Sequence, residues 1–347
     1  MMNTRKETVL TGREKPKNSF SLPKLLSVSP SPHMRCLDTT RSVMLDVIIA
    51  LLPATVWGIY TFGIRAAVTV AVSIAVAVIS ELLYEVIMRK TVTVADLSAV
   101  VTGLILGLSM PPAVPAWVPA AGSAFAIVIV KQLFGGLGKN IVNPAITARL
   151  FLMLCWPSQM TMYVDVKTDL VSAATPLTVM KTGVSPSETV FNCVIGNIGG
   201  AIGEVSAIAL FAGFIYLLVR RVVSWQIPVG FIGTVMLWSA LFPNTGDNVN
   251  CMLYNVFCGG LLLCALICAD DYSTTPVTAA GRLIFGVGCG LVTMFIRYFG
   301  AYADGCAFAI VIMNLLVPFF EKWTAPVVFG KKHSARVAEN GTGGETR

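Results

Sequence analysis

Apolar residues recur along this chain in runs long enough to cross a lipid bilayer, separated by short polar stretches. A membrane-spanning helix needs about 20 mostly apolar residues. The ten runs that come near this length lie at residues 43–61, 66–87, 95–110, 115–132, 143–157, 196–219, 227–243, 251–269, 281–297 and 303–320. The pattern predicts an all-α polytopic membrane protein with about ten transmembrane helices. Several runs are short or interrupted, so eight or nine spans remain alternatives.

Composition agrees with a chain that lies largely in lipid. Hydrophobic residues make up 55% of the sequence and charged residues 12%, whereas a soluble domain is about 25% charged. The net charge of +7 could indicate a nucleic-acid partner. However, the basic residues gather in the two tails, and no basic patch with interleaved aromatic residues accompanies them. We therefore expect no nucleic acid among the partners.

The distribution of basic residues predicts the orientation in the membrane. Cytoplasmic segments carry an excess of Lys and Arg. With both tails in the cytoplasm, 21 of the 25 basic residues fall inside, among them Lys131 and Arg149 near predicted span ends. The four that fall outside are Arg65, Lys167, Lys181 and Arg297. We expect a multi-pass protein of a bacterial-type cytoplasmic (inner) membrane, with both termini in the cytoplasm.

The runs divide the chain into five regions. These are a cytosolic N-terminal arm (1–42), a first five-helix half (43–157), an extracytoplasmic loop (158–196), a second five-helix half (197–320) and a cytosolic tail (321–347). An odd number of spans in each half requires any structural repeat to be inverted. Interruptions near Pro111 and Pro144, and from Asp270 to Pro276, are what a 5+5 inverted repeat would leave.

The long loop carries a motif of small residues, Asp169-Leu-Val-Ser-Ala-Ala-Thr175-Pro176-Leu-Thr178. Small side chains let another molecule approach the backbone closely. Pro176 biases Thr175 toward an extended conformation, which presents the Thr175 hydroxyl. On composition alone, an ordinary surface turn remains the favoured alternative.

Residues 169–175 resemble the acceptor motif of bacterial flavin transferases, D-x-x-[S/T]-G-A-T, with Ala173 where glycine is commoner. The whole chain resembles the NqrB/RnfD family. This family contains the RnfD component of the Rnf electron-transport complex and the NqrB component of the sodium-pumping NADH:quinone reductase. The short arm favours the RnfD type. The other segments that carry the resemblance, in their shared order, are 29–35, 46–53, 135–145 and 271–278.

The resemblance implies that Thr175 carries FMN as a phosphodiester, attached by a flavin transferase during maturation. Thr175 would then be an anchor, and the chain would hold no catalytic residue of its own. Electrons would arrive from an extracytoplasmic FMN-bearing subunit, within a complex that couples ferredoxin:NAD oxidoreduction to sodium or proton translocation. Such a subunit is part of an enzyme but is not active alone.

A second flavin is suggested at the glycine-rich stretch that precedes the fifth run. Three glycines in residues 135–138 are followed by Asn140 and Asn143, and an Asn side chain both donates and accepts hydrogen bonds. In the family this region is associated with a second, non-covalent flavin such as riboflavin. The equally weighted alternative is a tight loop in which Asn143 caps the following helix.

Carboxylates inside predicted spans are costly and therefore candidates for function. Asp96 and the pair Asp270–Asp271 are the better candidates for an ion path. We expect no metal site, because none of the nine cysteines forms a C-x-x-C pair and the only histidines, His33 and His333, lie in the tails.

The competing function is a channel or secondary transporter that has the same inverted-repeat scaffold and no flavin. A denatured protein band that still fluoresces as flavin would separate the two functions.

Overall fold

The computed structural model describes residues 39–164, 175–186, 188–204, 206–244 and 248–326. Predictions about the arm before residue 39, Lys167, the motif residues 169–174 and the tail from 327 fall outside these residues. Within the described residues the regular structure is helical. Helices α1 to α6 are Thr40–Phe62, Ile64–Ile87, Ser98–Leu108, Trp117–Gln132, Pro144–Cys155 and Pro157–Met160.

Eight further helices complete the described chain. Two short ones, α7 and α8, lie within the predicted loop. Helices α7 to α14 are Pro176–Lys181, Val190–Ile195, Ala207–Val219, Gln226–Leu241, Asn248–Phe257, Leu261–Cys268, Ala279–Phe299 and Cys306–Thr324.

The ten predicted runs each correspond to an apolar helix or, in one case, to a bent helix pair. Four helices are long and apolar enough to cross a membrane by themselves: α1, α2, α13 and α14. Helices α11 and α12 form one bent span if they are taken together, and α3, α4, α5, α9 and α10 are shorter apolar helices. The prediction of an all-helical polytopic membrane protein is confirmed; the 5+5 inverted repeat stays a prediction.

The surface of the helices is that of a protein in lipid. Large apolar side chains lie exposed on the outer faces, such as Tyr60 at 81%, Ile64 at 76% and Val219 at 76%. Charged side chains such as Glu81 and Lys131 lie fully buried between helices. A soluble protein rarely exposes large contiguous apolar patches, so this arrangement agrees with helices that face hydrocarbon.

The sixth predicted span begins later than the sequence suggested. Helix α9 starts at Ala207, and the buried stretch before it is not helical. Its backbone instead pairs with the end of α3, since Ile202 donates to the Met110 carbonyl at 3.0 Å and Gly203 to the Leu108 carbonyl at 2.7 Å. A Cβ on Gly203 would lie 2.7 Å from the Leu108 Cβ. Glycine therefore permits a backbone pairing that hydropathy does not reveal.

The eighth predicted span is broken within its length. Helices α11 and α12 meet at an angle of 60° across residues 258–260, about ten residues before the interruption expected near Asp270. In the first half, α3 ends at Leu108 and is followed by a buried non-helical stretch. The broken span is therefore the third of the second half, whereas the third span of the first half is a single short helix.

Two basic residues that were counted at cytoplasmic span ends are buried inside the helix bundle. The Lys131 ammonium lies 2.5 Å from Glu81, and the Arg149 guanidinium lies 2.6 Å from Glu204. A buried charge requires a partner, and each of these two has one. Because the ion pair explains the position of each side chain, neither indicates which side of the membrane is cytoplasmic. Arg297, counted outside, is also buried. The remaining basic residues still divide 19 to 3.

Candidate functional site

Thr175 stands at the start of α7 in the extended conformation that Pro176 favours, with φ −67° and ψ 152°. Its hydroxyl lies 2.7 Å from the Thr178 hydroxyl, and its oxygen accepts from the Thr178 N–H at 3.4 Å. Thr175 is therefore the N-cap of a helix of six residues, and its side chain is half-buried. The sequence predicted the extended backbone but not the cap.

A pocket of about 910 Å³, including the part open to solvent, lies beside Thr175. Five parts of the chain build it: the end of α5 with the residues after it, α7 with Thr175, the stretch before α9, the break between α11 and α12, and the turn between α13 and α14. Its polar and small lining residues include Thr161, Tyr163, Thr175, Thr178, Lys181, Gly199, Gly200, Glu204, Gly259, Tyr302 and Asp304.

A buried network of two cations and two anions borders this pocket. Arg149 contacts Glu204 at 2.6 Å and Asp304 at 3.3 Å, and Arg297 contacts Asp304 at 3.5 Å. Each carboxylate faces at least one guanidinium, which compensates the loss of water around the buried charges. The side chains come from α5, α13 and the stretches before α9 and α14, so the network ties both halves of the molecule together.

The break between α11 and α12 makes room for this network. A Cβ on Gly260 would lie 2.6 Å from Glu204 Oε1 and 2.8 Å from Asp304 Oδ2. Gly259 has a φ of +77°, and a Cβ there would collide with the Leu177 side chain of α7. The two glycines thus let the charged network and the helix that follows Thr175 pack against the broken span.

Lys181 lines the pocket and is a further cation, in addition to the two arginines of the network. The Lys181 ammonium donates to the Gly300 carbonyl and, at 3.1 Å, to the Tyr302 carbonyl, and partial burial lowers the pKa of Lys181. Burial and the nearby Glu204 raise the pKa of Tyr163, which keeps that phenol protonated.

These residues fit a flavin held through its phosphate on Thr175. Thr175 is one of the residues that line the pocket, so a group attached to its hydroxyl would lie beside the polar side chains of that lining. Lys181 supplies positive charge on the same lining, which suits a phosphodiester anion. In the part of the chain that the structure describes, the Thr175 hydroxyl contacts the Thr178 hydroxyl and no ionisable group, which suits an anchor better than a catalytic nucleophile.

A second pocket, of about 750 Å³ including its open part, contains both asparagines predicted to bind a second flavin. It lies between α3, α4, the start of α5, the end of α9 and the turn that follows α12. Its polar lining is Ser98, Thr102, Lys131, Asn140, Asn143, Asp270, Asp271, Tyr272 and Ser273, and its apolar lining includes Val101, Ile105, Leu217, Val223 and Ile267.

The two asparagines differ in what their side chains do. Asn143 caps α5, since its Oδ1 accepts from the N–H groups of Ala145 at 3.1 Å and Ile146 at 3.3 Å. Its Nδ2 donates to the Cys268 carbonyl at 3.1 Å. Asn140 is also buried, but no residue that the structure describes donates a hydrogen bond to its Oδ1. A buried acceptor without a donor is costly, so Asn140 fits a ligand that offers an N–H, as the pyrimidine edge of a flavin does.

Two of the acidic candidates for an ion path accept hydrogen bonds from backbone N–H groups and hydroxyls of serine residues. Asp96 accepts from the Ser98 N–H at 2.8 Å and hydroxyl at 2.5 Å, at the start of α3. Asp270 accepts from the N–H and the hydroxyl of Ser224. Burial raises the pKa of both Asp270 and Asp271, and both border the second pocket. A role in ion movement stays a prediction for all three.

Sequence reasoning missed the residues that surround these candidates. Lys131 donates to Glu81 at 2.5 Å and to Ser98 at 2.6 Å, and Gln132 donates to Glu81 at 2.9 Å. The Arg149 network was missed as well. The available signal was the presence of charges inside apolar runs, which mark functional or paired groups by default.

Comparison with known proteins identifies related sequences over nearly the whole chain. The model of the NQR2, RnfD, RnfE family matches residues 27–330. The D component of the Na(+)-translocating ferredoxin:NAD(+) oxidoreductase complex of Acetobacterium woodii is 42% identical over 88% of this chain and 95% of its own length. The D component of the proton-translocating ferredoxin:NAD(+) oxidoreductase complex of Clostridium ljungdahlii is 38% identical over 89% and 97%. The D component of the ion-translocating oxidoreductase complex of Stutzerimonas stutzeri is 34% identical over 83% and 92%.

Proposed function

Since this chain belongs to the NQR2, RnfD, RnfE family, we propose that it is the RnfD component of an ion-translocating ferredoxin:NAD oxidoreductase complex. In this complex it acts as a membrane electron relay with FMN held covalently on Thr175. Relatives whose names state this complex align with more than nine-tenths of their own length. The role within a multi-subunit complex follows from them, and the covalent flavin is the finer proposal.

The observation that carries the flavin proposal is the position of Thr175. An extended, half-buried threonine stands at a pocket lined by Lys181 and bordered by two compensated buried ion pairs. The flavin supplies the redox chemistry when bound, and the protein supplies orientation and electrostatics. Thr175 fixes the position, Lys181 offers charge to the phosphodiester, and the Arg149 network provides fixed charges beside the pocket.

The Asn140 pocket supports a second, non-covalent flavin such as riboflavin. No described residue donates a hydrogen bond to its buried Oδ1, and the apolar walls formed by Val101, Ile105 and Ile267 suit a planar ring system. We assign Asn140 the direct contact and Asn143 the support of the loop as a helix cap.

The assembly and orientation belong to the same proposal. The partners are the other subunits of the complex, including an extracytoplasmic FMN-bearing subunit, and a flavin transferase during maturation. Both termini face the cytoplasm and the Thr175 loop faces outside, as the basic-residue asymmetry favours. A reporter fused after Arg347 that is active only outside the cell would overturn this orientation.

The decisive experiment is the intact mass and in-gel flavin fluorescence of the full chain, purified from cells that contain an active flavin transferase. We expect a denatured band that fluoresces as flavin and a mass increment of one FMN, located by peptide mapping on Thr175. A dark band of unmodified mass from the same cells would contradict the relay and favour the flavin-free transporter.

A further inference from the structure

Two cysteine sulfurs meet where the Thr175 loop packs against the broken span. Cys193 Sγ and Cys258 Sγ lie 3.0 Å apart, although the residues are 65 positions apart in the sequence. Both side chains are fully buried. Their proximity therefore results from tertiary packing and not from a local turn.

The surrounding contacts hold this pair in register. Cys193 lies in α8, and Cys258 opens the break between α11 and α12. Both belong to a small apolar cluster with Leu177 and Met180 of α7. On the same interface, the Tyr254 hydroxyl of α11 donates to the Glu188 carbonyl at 2.5 Å. The loop is thus fastened to α11 at two neighbouring points, of which the cysteine pair is one.

We propose that Cys193 and Cys258 form a disulfide bond that fastens the loop to the broken span. The reaction is a thiol–disulfide exchange with a disulfide outside the membrane, either of a small thiol or of a thiol oxidoreductase. The Cys193 and Cys258 S–H bonds break, one S–S bond forms between them, and the incoming disulfide takes up two electrons and two protons to leave as two thiols. This inference does not depend on a flavin.

Two physical features favour the reaction at this pair. The hydrogen bond from Cys258 lowers the pKa of the Cys193 thiol, and the thiolate is the species that attacks a disulfide. The loop faces the extracytoplasmic side in the proposed orientation, which is where disulfides persist. The exchange takes place while the loop docks, before packing closes over the sulfurs.

Other cysteines of the chain serve as controls. Cys251 lies in the same apolar cluster, but its Sγ accepts from Asn255 at 3.6 Å. Cys264 and Cys268 are one turn apart on the same helix, so a bond between them would not connect the loop to anything. The geometry thus singles out one pair among the eight cysteines that the structure describes.

The test is thiol alkylation of the full chain in membranes that are dissolved in denaturant with excess maleimide at harvest, so that buried free thiols also react. We expect two fewer maleimide adducts before reduction than after it, and a non-reduced peptide that joins Cys193 to Cys258. Cys193→Ala and Cys258→Ala should each release one additional free thiol, whereas Cys251→Ala should leave the joined peptide in place. Alkylation of both Cys193 and Cys258 in unreduced membranes would overturn the proposal.

A second measurement reports on the consequence for the loop. Reduction should lower the midpoint of thermal unfolding in the wild-type chain and speed proteolytic cleavage within residues 158–196. The double variant Cys193→Ala/Cys258→Ala should show neither response to reduction. Equal responses in the wild type and the double variant would also contradict the disulfide.

Discussion

The two candidate flavin pockets both have mostly apolar walls, and they differ in the polar groups that would hold a cofactor. The Thr175 pocket is bordered by buried ion pairs between Arg149, Arg297, Glu204 and Asp304, and its proposed cofactor is held by a covalent bond. At the Asn140 pocket, the feature that points to the proposed ligand is one buried amide oxygen to which no described residue donates a hydrogen bond.

The difference shows how each pocket would retain a flavin. At the Thr175 pocket, the proposed covalent bond would prevent loss of the cofactor whatever the affinity of the pocket itself. A pocket between helices removes apolar surface from water, which contributes about 25 cal/mol per Å², so a few hydrogen bonds suffice for orientation. Substitution of the anchor should therefore abolish attachment of the first flavin completely. Substitutions at the second pocket should lower its affinity for the second flavin gradually.

The sharpest test of this difference is the anchor. Thr175→Asn should abolish covalent flavin while the non-covalent flavin stays, because Asn is an equally good N-cap but has no hydroxyl to esterify. In-gel fluorescence and intact mass measure the loss, and electron transfer through the assembled complex should fall sharply.

Three neighbouring variants control this result. Thr175→Ala should lose the flavin as well, and it should cost about 0.5–2 kcal/mol because the cap of α7 is also removed. Thr175→Ser keeps both functions and should retain partial attachment. Thr178→Ala should leave the flavin in place. A full FMN increment on Thr175→Asn would show that the anchor lies elsewhere.

The charged border of the Thr175 pocket should be sensitive to loss of one member. Arg149→Leu leaves Glu204 and Asp304 buried with an incomplete set of cations, and removal of one partner of a buried pair costs about 3–5 kcal/mol. A lower midpoint of thermal unfolding in detergent would measure this. The matched control is Arg220→Leu, because the Arg220 side chain is 48% exposed and its partner Asp46 keeps a hydrogen bond from the Tyr216 hydroxyl at 2.8 Å, so we expect a smaller loss of stability than at Arg149. Equal effects of the two variants would contradict a structural role for the buried network.

A graded effect is expected at the second pocket. Asn140→Leu removes one hydrogen bond, worth about 0.5–1.5 kcal/mol, and should lower the content of extractable flavin about three- to tenfold. The covalent band should not change. Unchanged extractable flavin in this variant would remove the argument for a direct contact.

The smallest effect should come from the second asparagine. Asn143→Ala removes the cap of α5 and should cost about 1 kcal/mol of stability, measured as a shift in the thermal midpoint. Extractable flavin should decrease less than in Asn140→Leu, because the Asn143 side chain already bonds to Ala145, Ile146 and Cys268. A larger loss of flavin in Asn143→Ala than in Asn140→Leu would reverse the roles assigned to the two residues.

Much of the fold could be predicted from local sequence. The ten apolar runs became ten apolar helices or helix pairs, because in a bilayer the backbone must satisfy its hydrogen bonds within each span. The extended conformation of Thr175 followed from Pro176 alone. Asn143 as a helix cap was likewise one of two local alternatives, and the structure contains the cap.

The errors of sequence-based prediction arose where distant segments meet. Hydropathy placed residues 197–206 in a span, whereas Gly203 pairs with the backbone at Leu108. Basic-residue counting included Lys131 and Arg149 among the cytoplasmic charges, but both side chains are buried in ion pairs and carry no information on orientation. Each outcome depends on a partner far away in sequence, which no local pattern contains.

The sequence by itself determined that this protein lies in lipid, that it is built of helices, and that an extended threonine stands ahead of a proline. These properties depend on side-chain hydropathy and on steric limits between adjacent residues. Only the tertiary structure decided that Glu204, Asp304, Arg149 and Arg297 compensate one another, that the Asn140 oxygen receives no hydrogen bond from a described residue, and that Cys193 meets Cys258. Charge pairing, hydrogen bonding and sulfur contact act over a few ångströms in space, and the packing of the helices sets those distances.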